Sequence, residues 1–142
     1  MKLSLVMPAY NEEEHVEQVI LDYQKHLNSV PGLEYEIIVV DDCSSDSTKD
    51  FLDNISGIKT LSNKINSGYG FSLKAGIAVA KYENIMITDA DGSYPPQDAV
   101  RLINKFISQD MIIGSRTGDN INIPMYRRPA KFFLNNFASF LS

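Results

Sequence analysis

The stretch Tyr35-Glu-Ile-Ile-Val-Val-Asp-Asp42 joins a β-branched, apolar run directly to two carboxylates. β-branched residues favour strands, and an unbroken apolar run is typical of a strand that is buried on both faces. Apolar residues recur at helical spacing before it, from 13 to 27, and helix-capping residues follow it at 44–47. A buried strand between two helices predicts a crossover connection and therefore a parallel sheet.

The same alternation continues along the chain on both sides of this stretch. We predict strands at 3–7, 35–40, 58–61, 85–88 and 111–114. We predict helices at 13–27, 44–54, 70–80, 96–107 and 124–141. Pro8 is expected to stop the first strand. The pattern indicates an α/β fold with a mostly parallel sheet flanked by helices, in one domain over residues 1–142.

The composition excludes several classes of protein. The chain has 142 residues, of which 44% are hydrophobic, so it can bury a core and is not a disordered chain. No apolar run reaches the ~20 residues that a membrane span needs. Because Cys43 is the single cysteine, an internal disulfide and a cysteine-based zinc cluster are excluded, and we expect a cytoplasmic location.

The charge is unevenly distributed within a net charge of −5. Residues 1–100 carry seven Lys or Arg against sixteen Asp or Glu, and residues 101–142 carry six against two. The acidic majority argues against nucleic-acid binding, which needs a basic surface. The basic C-terminal part is compatible with an anionic partner, and an uneven but solvated surface charge is the alternative.

Polar residues follow each predicted strand, at the point where the strand ends. They are Tyr10-Asn-Glu12, Asp41-Asp42, Asn66-Ser-Gly68, Asp89 with Asp91, and Ser115-Arg116. In open α/β sheets, ligands bind outside the carboxyl ends of the strands. We therefore expect these residues to converge on one cleft.

Asp89-Ala-Asp91 places two carboxylates side by side after an apolar strand. Two such groups stay ionised together most easily when a cation joins them. Mg²⁺ and Mn²⁺ take carboxylate oxygens and keep positions open for substrate phosphate. The pattern favours a divalent metal held by Asp89 and Asp91, and the alternative is a solvated pair that forms a turn before Gly92.

Two further segments offer contacts for a nucleotide. Asp41 and Asp42 can accept hydrogen bonds from ribose or a base edge, and the alternative is a capped loop before a helix. The segment Asn66-Ser-Gly-Tyr-Gly70, with Lys74 and Gly76 beyond it, is typical of a loop that approaches phosphate where a helix begins. It matches neither the dinucleotide fingerprint nor the P-loop.

Four segments together resemble the family-2 glycosyltransferases. They are Val6-Met-Pro-Ala-Tyr-Asn-Glu12, Val39-Val-Asp-Asp42 with Ser44-Ser-Asp46, Asn66-Ser-Gly-Tyr-Gly70, and Thr88-Asp-Ala-Asp-Gly92. Their order and spacing across residues 3–92 carry the resemblance. It implies a GT-A type nucleotide-sugar-binding fold, a divalent metal (Mg²⁺ or Mn²⁺) at Asp89 and Asp91, and inverting transfer of a hexose from a UDP- or GDP-sugar.

The resemblance also implies roles for single residues. The implied nucleotide-sugar-binding residues are Pro8, Ala9, Tyr10, Asn11, Glu12, Asp41, Asp42, Gly68, Lys74, Asp89, Ala90 and Asp91. The implied catalytic residues are Asp89, Asp91 and Arg116. We expect the nucleoside to lie between the loop Pro8–Glu12 and Asp41.

A narrower similarity is to polyprenyl-phosphate glycosyltransferases such as dolichol-phosphate mannosyltransferase. It rests on Asp91-Gly-Ser-Tyr-Pro-Pro96, on Ile113-Gly-Ser-Arg116, and on Arg127-Arg128 with Asn135 or Asn136. It implies a lipid-phosphate acceptor whose phosphate meets Arg116, Arg127 and Arg128, because a guanidinium is an always-charged phosphate partner.

In that subgroup the chain continues beyond the helix that contains Arg127. We therefore expect the 142 residues to be the donor-binding, N-terminal part of a catalytic domain whose acceptor side lies mostly elsewhere. Residues 123–142 combine Lys131 and two arginines with aromatic residues, in a stretch too short to span a bilayer. A basic, amphipathic helix suits the cytoplasmic face of a membrane, and the alternatives are packing on its own sheet or self-association.

Two alternative functions stay open. One is a noncatalytic nucleotide-sugar-binding fragment. The other is a phosphoryl-accepting signalling module of the flavodoxin-like type, which also combines a parallel sheet with an acidic pair. That module needs its acidic pair after the first strand and a lysine after the fifth, whereas this chain has Asp41-Asp42 after the second and Arg116 after the fifth.

Overall fold

Strands and helices alternate through the part of the chain that the structure, a computed structural model, describes: residues 1–106 and 109–114. The elements are β1 (Lys2–Ala9), α1 (Val16–Asn28), β2 (Glu34–Asp41), α2 (Thr48–Asn54), β3 (Lys59–Ser62), α3 (Tyr69–Ala78), β4 (Ile85–Ile87) and α4 (Pro96–Lys105). The first four strands and first four helices that the sequence predicts are therefore present, with shifted ends.

The four strands form one parallel sheet in the order β3-β2-β1-β4. β1 pairs with β2 along its whole length, from Lys2 opposite Glu34 to Ala9 opposite Asp41. β4 pairs only with the middle of β1, at Ser4–Val6. A parallel sheet connected by helices confirms the predicted α/β fold.

The two central strands are buried on both faces, because each face carries its own apolar layer. One layer contains alternate strand residues such as Leu5 and Ile37, and α1, α2 and α4 cover it. The other layer contains Val6, Ile38 and Val40, and α3 packs against it. Side chains two positions apart share a face of a strand, so the unbroken apolar run in β2 serves both layers.

Gly76 lets α3 lie close to the sheet. A Cβ atom added at Gly76 would come within 2.5 Å of Val6 Cγ1 and 3.1 Å of Val40 Cγ2. The sequence grouped Gly76 with a loop that approaches phosphate, but the residue is buried near the C-terminal end of α3 against two strands. Its role in the described structure is packing.

β1 continues through Pro8 to Ala9, so the prediction that Pro8 stops this strand is wrong. In β1 the backbone groups of even-numbered residues form hydrogen bonds on the β4 side: Ser4 N–H donates to the Asn84 carbonyl, and the Val6 carbonyl accepts from Thr88 N–H. The backbone of Ala9 faces the β2 side, where its carbonyl accepts from Asp42 N–H. The nitrogen of Pro8 therefore faces the β4 side, beyond the pairing that ends at Val6. No ladder hydrogen bond is lost there, and proline is tolerated.

Residues 111–114 form no strand in the described structure, so the predicted fifth strand is wrong. Met111 is 73% exposed and Ile113 is 74% exposed. A short apolar run becomes a strand only when a neighbour pairs with it, and no described strand does. The predicted helix at 124–141 lies outside the described residues.

A helix that crosses a bilayer needs about 20 predominantly apolar residues, and the helices of the described region are shorter than this. None of them is long and apolar enough to cross a membrane.

Candidate functional site

A cleft of about 320 Å³ opens at the carboxyl ends of β1 and β4. The chain adds β2 and β3 on one side of β1 and then returns to the other side for β4. Such a reversal of strand order is where open α/β sheets bind ligands. The cleft is lined by Pro8, Ala9, Tyr10, Glu12, Asp42, Asn66, Gly68, Tyr69, Ser72, Asp89, Ala90 and Asp91.

The loops after β1 and β2 are joined by hydrogen bonds. Asn11 N–H donates to Ser44 Oγ (3.0 Å), and Asn11 Oδ1 accepts from Ser45 N–H (2.8 Å). Glu12 N–H donates to Thr48 Oγ1 at 2.8 Å. Asn11 has a positive φ of 55°, a conformation that Asn tolerates better than most residues. These bonds fix the wall of the cleft that Tyr10 and Glu12 line, while Asn11 itself is exposed and does not line the cleft.

Asp42 holds the loop that precedes α3. Its Oδ1 accepts from Ser67 N–H (2.9 Å) and Asn63 Nδ2 (2.6 Å), and its Oδ2 accepts from Gly68 N–H (2.7 Å). Burial by itself would raise the pKa of Asp42, but these hydrogen bonds to the charged form outweigh it and hold the pKa below its ordinary value. Asp42 therefore stays ionised and fixes the backbone at Gly68.

Asp41, the neighbouring acid, lies at the end of β2 and is 2% exposed. Its Oδ1 accepts from Ser44 N–H at 3.0 Å, within the turn that leads to α2. Asp41 is not among the residues that line the cleft. The hydrogen bond is that of a capped loop, one of the two interpretations that the sequence left open.

The carboxylates of Asp89 and Asp91 lie in the cleft beside Glu12. Asp89 is half-buried and accepts a hydrogen bond on Oδ1 from the Tyr69 hydroxyl at 2.9 Å. Asp91 is exposed, and its Oδ1 accepts from Ser93 N–H at 2.8 Å. Burial, and then the charge of Asp91, raise the pKa of Glu12. Three carboxyl groups thus make this end of the cleft strongly negative.

Tyr69 is the donor of the bond to Asp89 and remains protonated. Burial and the bond to the carboxylate raise the pKa of Tyr69 to about 12. A protonated hydroxyl can serve only one acceptor with its proton. At neutral pH that proton is therefore available to Asp89.

A buried tyrosine supports the carboxylate loop from the core. The Tyr23 hydroxyl donates to the Tyr94 carbonyl oxygen at 3.1 Å and lies 2.8 Å from Thr88 Oγ1. Because the Tyr23 hydroxyl has one proton, Thr88 is the donor of the second bond. Thr88 and Tyr94 stand on either side of the segment that contains both aspartates, so one side chain fixes both of its ends.

The donor set at Asp89 and Asp91 fits a hard divalent cation. It consists of carboxylate oxygens, which Mg²⁺ and Mn²⁺ prefer, in a site where a positive charge would relieve mutual repulsion. No group of three metal-binding side chains occurs among residues 1–106 and 109–114. A cation held by two carboxylates keeps positions for phosphate oxygens, so the protein residues alone would not complete its coordination.

The structure brings together most, but not all, of the residues that the sequence singled out. Nine of the twelve predicted nucleotide-sugar-binding residues line the cleft, and Asn11, Asp41 and Lys74 do not. Lys74 is exposed on α3. Arg116, Arg127 and Arg128, predicted for the acceptor phosphate, lie outside the described residues.

Three further residues line the cleft that are not among the twelve predicted binding residues: Asn66, Tyr69 and Ser72. Asn66 and Tyr69 belong to the segment from which only Gly68 was selected. A signal for Tyr69 and Ser72 was available, because residues three apart lie on one face of a helix, and α3 begins at Tyr69.

Curated relatives of this chain act on lipid phosphates according to their names. The chain is 33% identical over 135 residues to dolichol-phosphate mannosyltransferase of Pyrococcus furiosus, and the alignment covers 90% of this chain and 38% of that protein. It is 31% identical over 147 residues to dolichyl-phosphate beta-glucosyltransferase ALG5A of Trichomonas vaginalis, and this alignment covers 94% of this chain and 45% of that protein. The chain thus spans less than half the length of these two relatives.

Solved structures share the fold. The mannosyltransferase PcManGT of Pyrobaculum calidifontis, in complex with GDP-Man and Mn²⁺, superposes with a TM-score of 0.65 at 22% identity, over 78% of this chain and 33% of that one. TarS 1–349 of S. aureus, in complex with UDP, superposes with a TM-score of 0.58 at 26% identity, over 74% of this chain and 32% of that one.

The family itself follows from a direct match. Glycosyl transferase family 2 matches residues 4–141, which is nearly the whole chain. The described parallel sheet and its switch-point cleft agree with the GT-A type fold of the structures that superpose on it. The chain belongs to glycosyl transferase family 2.

Proposed function

We propose that this domain transfers a hexose from a UDP- or GDP-sugar to a polyprenyl phosphate, with inversion at the anomeric carbon. The observation that carries the proposal is the cleft in which Asp89 and Asp91 meet the loop after β1 and the Gly68 end of α3. Family membership and the lipid-phosphate names of the relatives support the reaction class. We place the reaction at the cytoplasmic face of a membrane.

The donor nucleotide is assigned to the walls of this cleft. The nucleoside lies against the loop Pro8–Glu12, whose backbone is held by Ser44 and Thr48. Asp41 is proposed to contact base or ribose through its second carboxylate oxygen, since Oδ1 accepts the hydrogen bond from Ser44 N–H. The start of α3 at Tyr69 and Gly70 is proposed to face the diphosphate, because the first N–H groups of a helix favour anions, whereas the Ser67 and Gly68 N–H groups already donate to Asp42.

Asp91 and Asp89 are assigned to the divalent cation, Mg²⁺ or Mn²⁺. Asp91 is the chief ligand in this proposal because it is exposed in the cleft, and Asp89 contacts the cation or ribose from beside it. When bound, the cation supplies positive charge that stabilises the leaving nucleoside diphosphate. The carboxylate of Glu12 adds negative charge beside Asp89 and Asp91, which a bound cation would offset.

The transfer needs no general base from this chain. An oxygen of the acceptor phosphate is already anionic; it forms the bond to the anomeric carbon while the bond from that carbon to the β-phosphate oxygen breaks. The electron pair leaves with the nucleoside diphosphate. Arg116, Arg127 and Arg128 are proposed to hold the acceptor phosphate, since a guanidinium pairs with phosphate through two parallel hydrogen bonds.

A thermal-shift screen of UDP- and GDP-sugars, with and without Mn²⁺, tests the donor half of this proposal. A ligand present at 100 times its dissociation constant stabilises the folded state by about 2.7 kcal/mol. We expect one donor to raise the unfolding midpoint of the wild type in the presence of Mn²⁺. Asp91→Asn should abolish the Mn²⁺-dependent part of this shift and leave the ligand-free midpoint unchanged, because Asp91 is exposed.

Asp53→Asn is a matched control, because Asp53 is an exposed carboxylate on α2 and does not line the cleft. Its ligand-induced shift should equal that of the wild type. A metal-dependent shift that survives in Asp91→Asn would refute the metal assignment.

A noncatalytic nucleotide-sugar-binding domain is the second candidate, since the cleft residues assigned to the donor would serve binding without transfer equally well. It predicts the same thermal shifts. Formation of a lipid-linked sugar from donor and polyprenyl phosphate separates the two, since only the enzyme produces it.

A further inference from the structure

Tyr69 joins two parts of the cleft that are twenty positions apart in the chain. It is the first residue of α3 and lines the cleft. Its hydroxyl donates to Asp89 Oδ1 at 2.9 Å. The bond therefore links the start of the helix that faces the diphosphate to one of the two aspartates assigned to the cation.

The backbone that carries Tyr69 is held in place from the core side. Gly68 has a φ of +87°, which favours glycine, and its N–H donates to the buried carboxylate of Asp42 at 2.7 Å. Farther along α3, Gly76 rests directly against Val6 and Val40. Because the helix is fixed at both points, the Tyr69 ring has only its two side-chain torsions to place its hydroxyl.

The backbone of Asp89 is also restrained, so its side chain is the part that can move. Thr88 before it and Ala90 after it are both buried, and Thr88 is bound to Tyr23. The bond from Tyr69 engages Oδ1, and within the described residues no hydrogen bond reaches Oδ2. The carboxylate is thereby held with one oxygen occupied and the other available.

We propose that Tyr69 is a positioning residue for Asp89: its hydroxyl holds one carboxylate oxygen so that the other is available to the cation on the donor diphosphate. This inference rests on the proposed function. Residues that orient a metal ligand in this way change metal affinity or activity by about 10–100-fold when they are replaced. The alternative is a contact without consequence, since Tyr69 is 53% exposed.

The test is isothermal titration calorimetry on Tyr69→Phe, which removes the hydroxyl and keeps the ring. UDP and GDP are titrated with Mn²⁺ and, separately, with EDTA, and uridine and guanosine are titrated as phosphate-free probes. We expect the affinity for the diphosphate with Mn²⁺ to fall about 10-fold or more. Affinity for the nucleosides, affinity in EDTA and the thermal midpoint should stay at wild-type values.

Tyr35→Phe is the matched control. The Tyr35 hydroxyl donates to Asn28 Oδ1 at 2.8 Å, near the opposite end of the sheet. The Tyr35→Phe variant also loses a tyrosine hydroxyl from a hydrogen bond of similar length. Its nucleotide affinities should equal those of the wild type.

The outcomes distinguish this inference from the function on which it rests. If the wild type binds the diphosphate with Mn²⁺ and Tyr69→Phe binds it equally well, the positioning role is rejected and the proposed function stands. An equal loss with Mn²⁺ and with EDTA also rejects the role, because the effect would not involve the cation. A wild type that binds neither diphosphate rejects the proposed function and this inference together.

Discussion

Asp42 shows how one buried carboxylate can determine the shape of a binding site. It is 4% exposed, yet its two oxygens accept hydrogen bonds from Ser67, Gly68 and Asn63. A buried charge is costly unless hydrogen bonds satisfy it, and here the loop before α3 provides them. The same bonds place Gly68 at the cleft, so the folding of this loop and the geometry of the site depend on one side chain.

We predict that Asp42→Asn destabilises the domain by about 1.5–3 kcal/mol at pH 7, the range for hydrogen bonds to a charged group. The amide keeps one acceptor oxygen but turns an NH₂ group towards backbone donors. Because the pKa of Asp42 is lowered in the folded state, its contribution is fully present above about pH 4, where an unfolded Asp titrates. The contribution is lost as the pH falls through the folded pKa.

Urea unfolding of wild type and variant between pH 7 and pH 3 measures this difference. The two free energies of unfolding should converge towards acid pH. Asp53→Asn removes the same charge from an exposed position and controls for net charge. If both variants show the same pH dependence relative to the wild type, Asp42 does not have the stabilising role assigned to it.

The roles of Asp42 and Tyr69 could not be predicted from the sequence because their partners are distant in the chain. Asp42 binds a loop 25 positions later, and Tyr69 binds a carboxylate 20 positions later. The sequence did indicate that Asp42, Asp89 and Asp91 follow strands, and all three line the cleft. Position relative to a strand end is a local property, whereas a hydrogen-bond partner depends on how loops pack.

The helix α3 packs on the sheet through a glycine at its closest approach, in addition to apolar side chains such as Leu73. Gly76 leaves no room for a side chain, since a Cβ atom would meet Val6 and Val40. Both valines are completely buried in central strands, so neither can move away easily. The close approach also determines where the other end of α3, with Gly68 and Tyr69, stands relative to the cleft.

Gly76→Ala is therefore expected to destabilise the domain although alanine favours helices. Overpacking costs about 1–3 kcal/mol, and the higher helix propensity of alanine returns up to about 1 kcal/mol. Gly70→Ala is the matched control on the same helix, because a Cβ atom there meets nothing within 4 Å. Urea unfolding should give a lower midpoint for Gly76→Ala and an equal or higher one for Gly70→Ala; the reverse order would contradict this packing.

The elements that the sequence predicted well are those whose pattern is determined by burial. β2 has an uninterrupted β-branched run, and α1 has a clear helical period, and both occur with shifted ends. Pro8 was misjudged because the cost of proline depends on whether a neighbouring strand needs its N–H group. The segment 111–114 was misjudged because three apolar residues do not specify a partner strand.

The distribution of charge over the chain gives the two proposed substrates different chemical surroundings. Residues 1–100 are acidic, and they include the cleft, where a diphosphate would require a cation. Residues 101–142 are basic, and a lipid phosphate could be held there directly by arginine. This difference agrees with two anionic substrates that are bound differently, the donor diphosphate through a cation and the acceptor phosphate through arginine.

The last prediction concerns Arg127 and Arg128, which we propose, from the resemblance to polyprenyl-phosphate glycosyltransferases, to hold the acceptor phosphate at a membrane surface. Each basic residue near an anionic surface contributes about 1 kcal/mol of binding. We expect Arg127→Glu/Arg128→Glu to lower partitioning onto anionic liposomes by at least ~2 kcal/mol, which is about 30-fold. The measurement is flotation of the protein with these liposomes, together with the yield of lipid-linked product.

Lys25→Glu/Lys49→Glu makes the same charge change at exposed helix positions in the acidic part of the chain and should float like the wild type. Equal flotation and equal product for all three proteins would reject a membrane-facing role for the arginine pair.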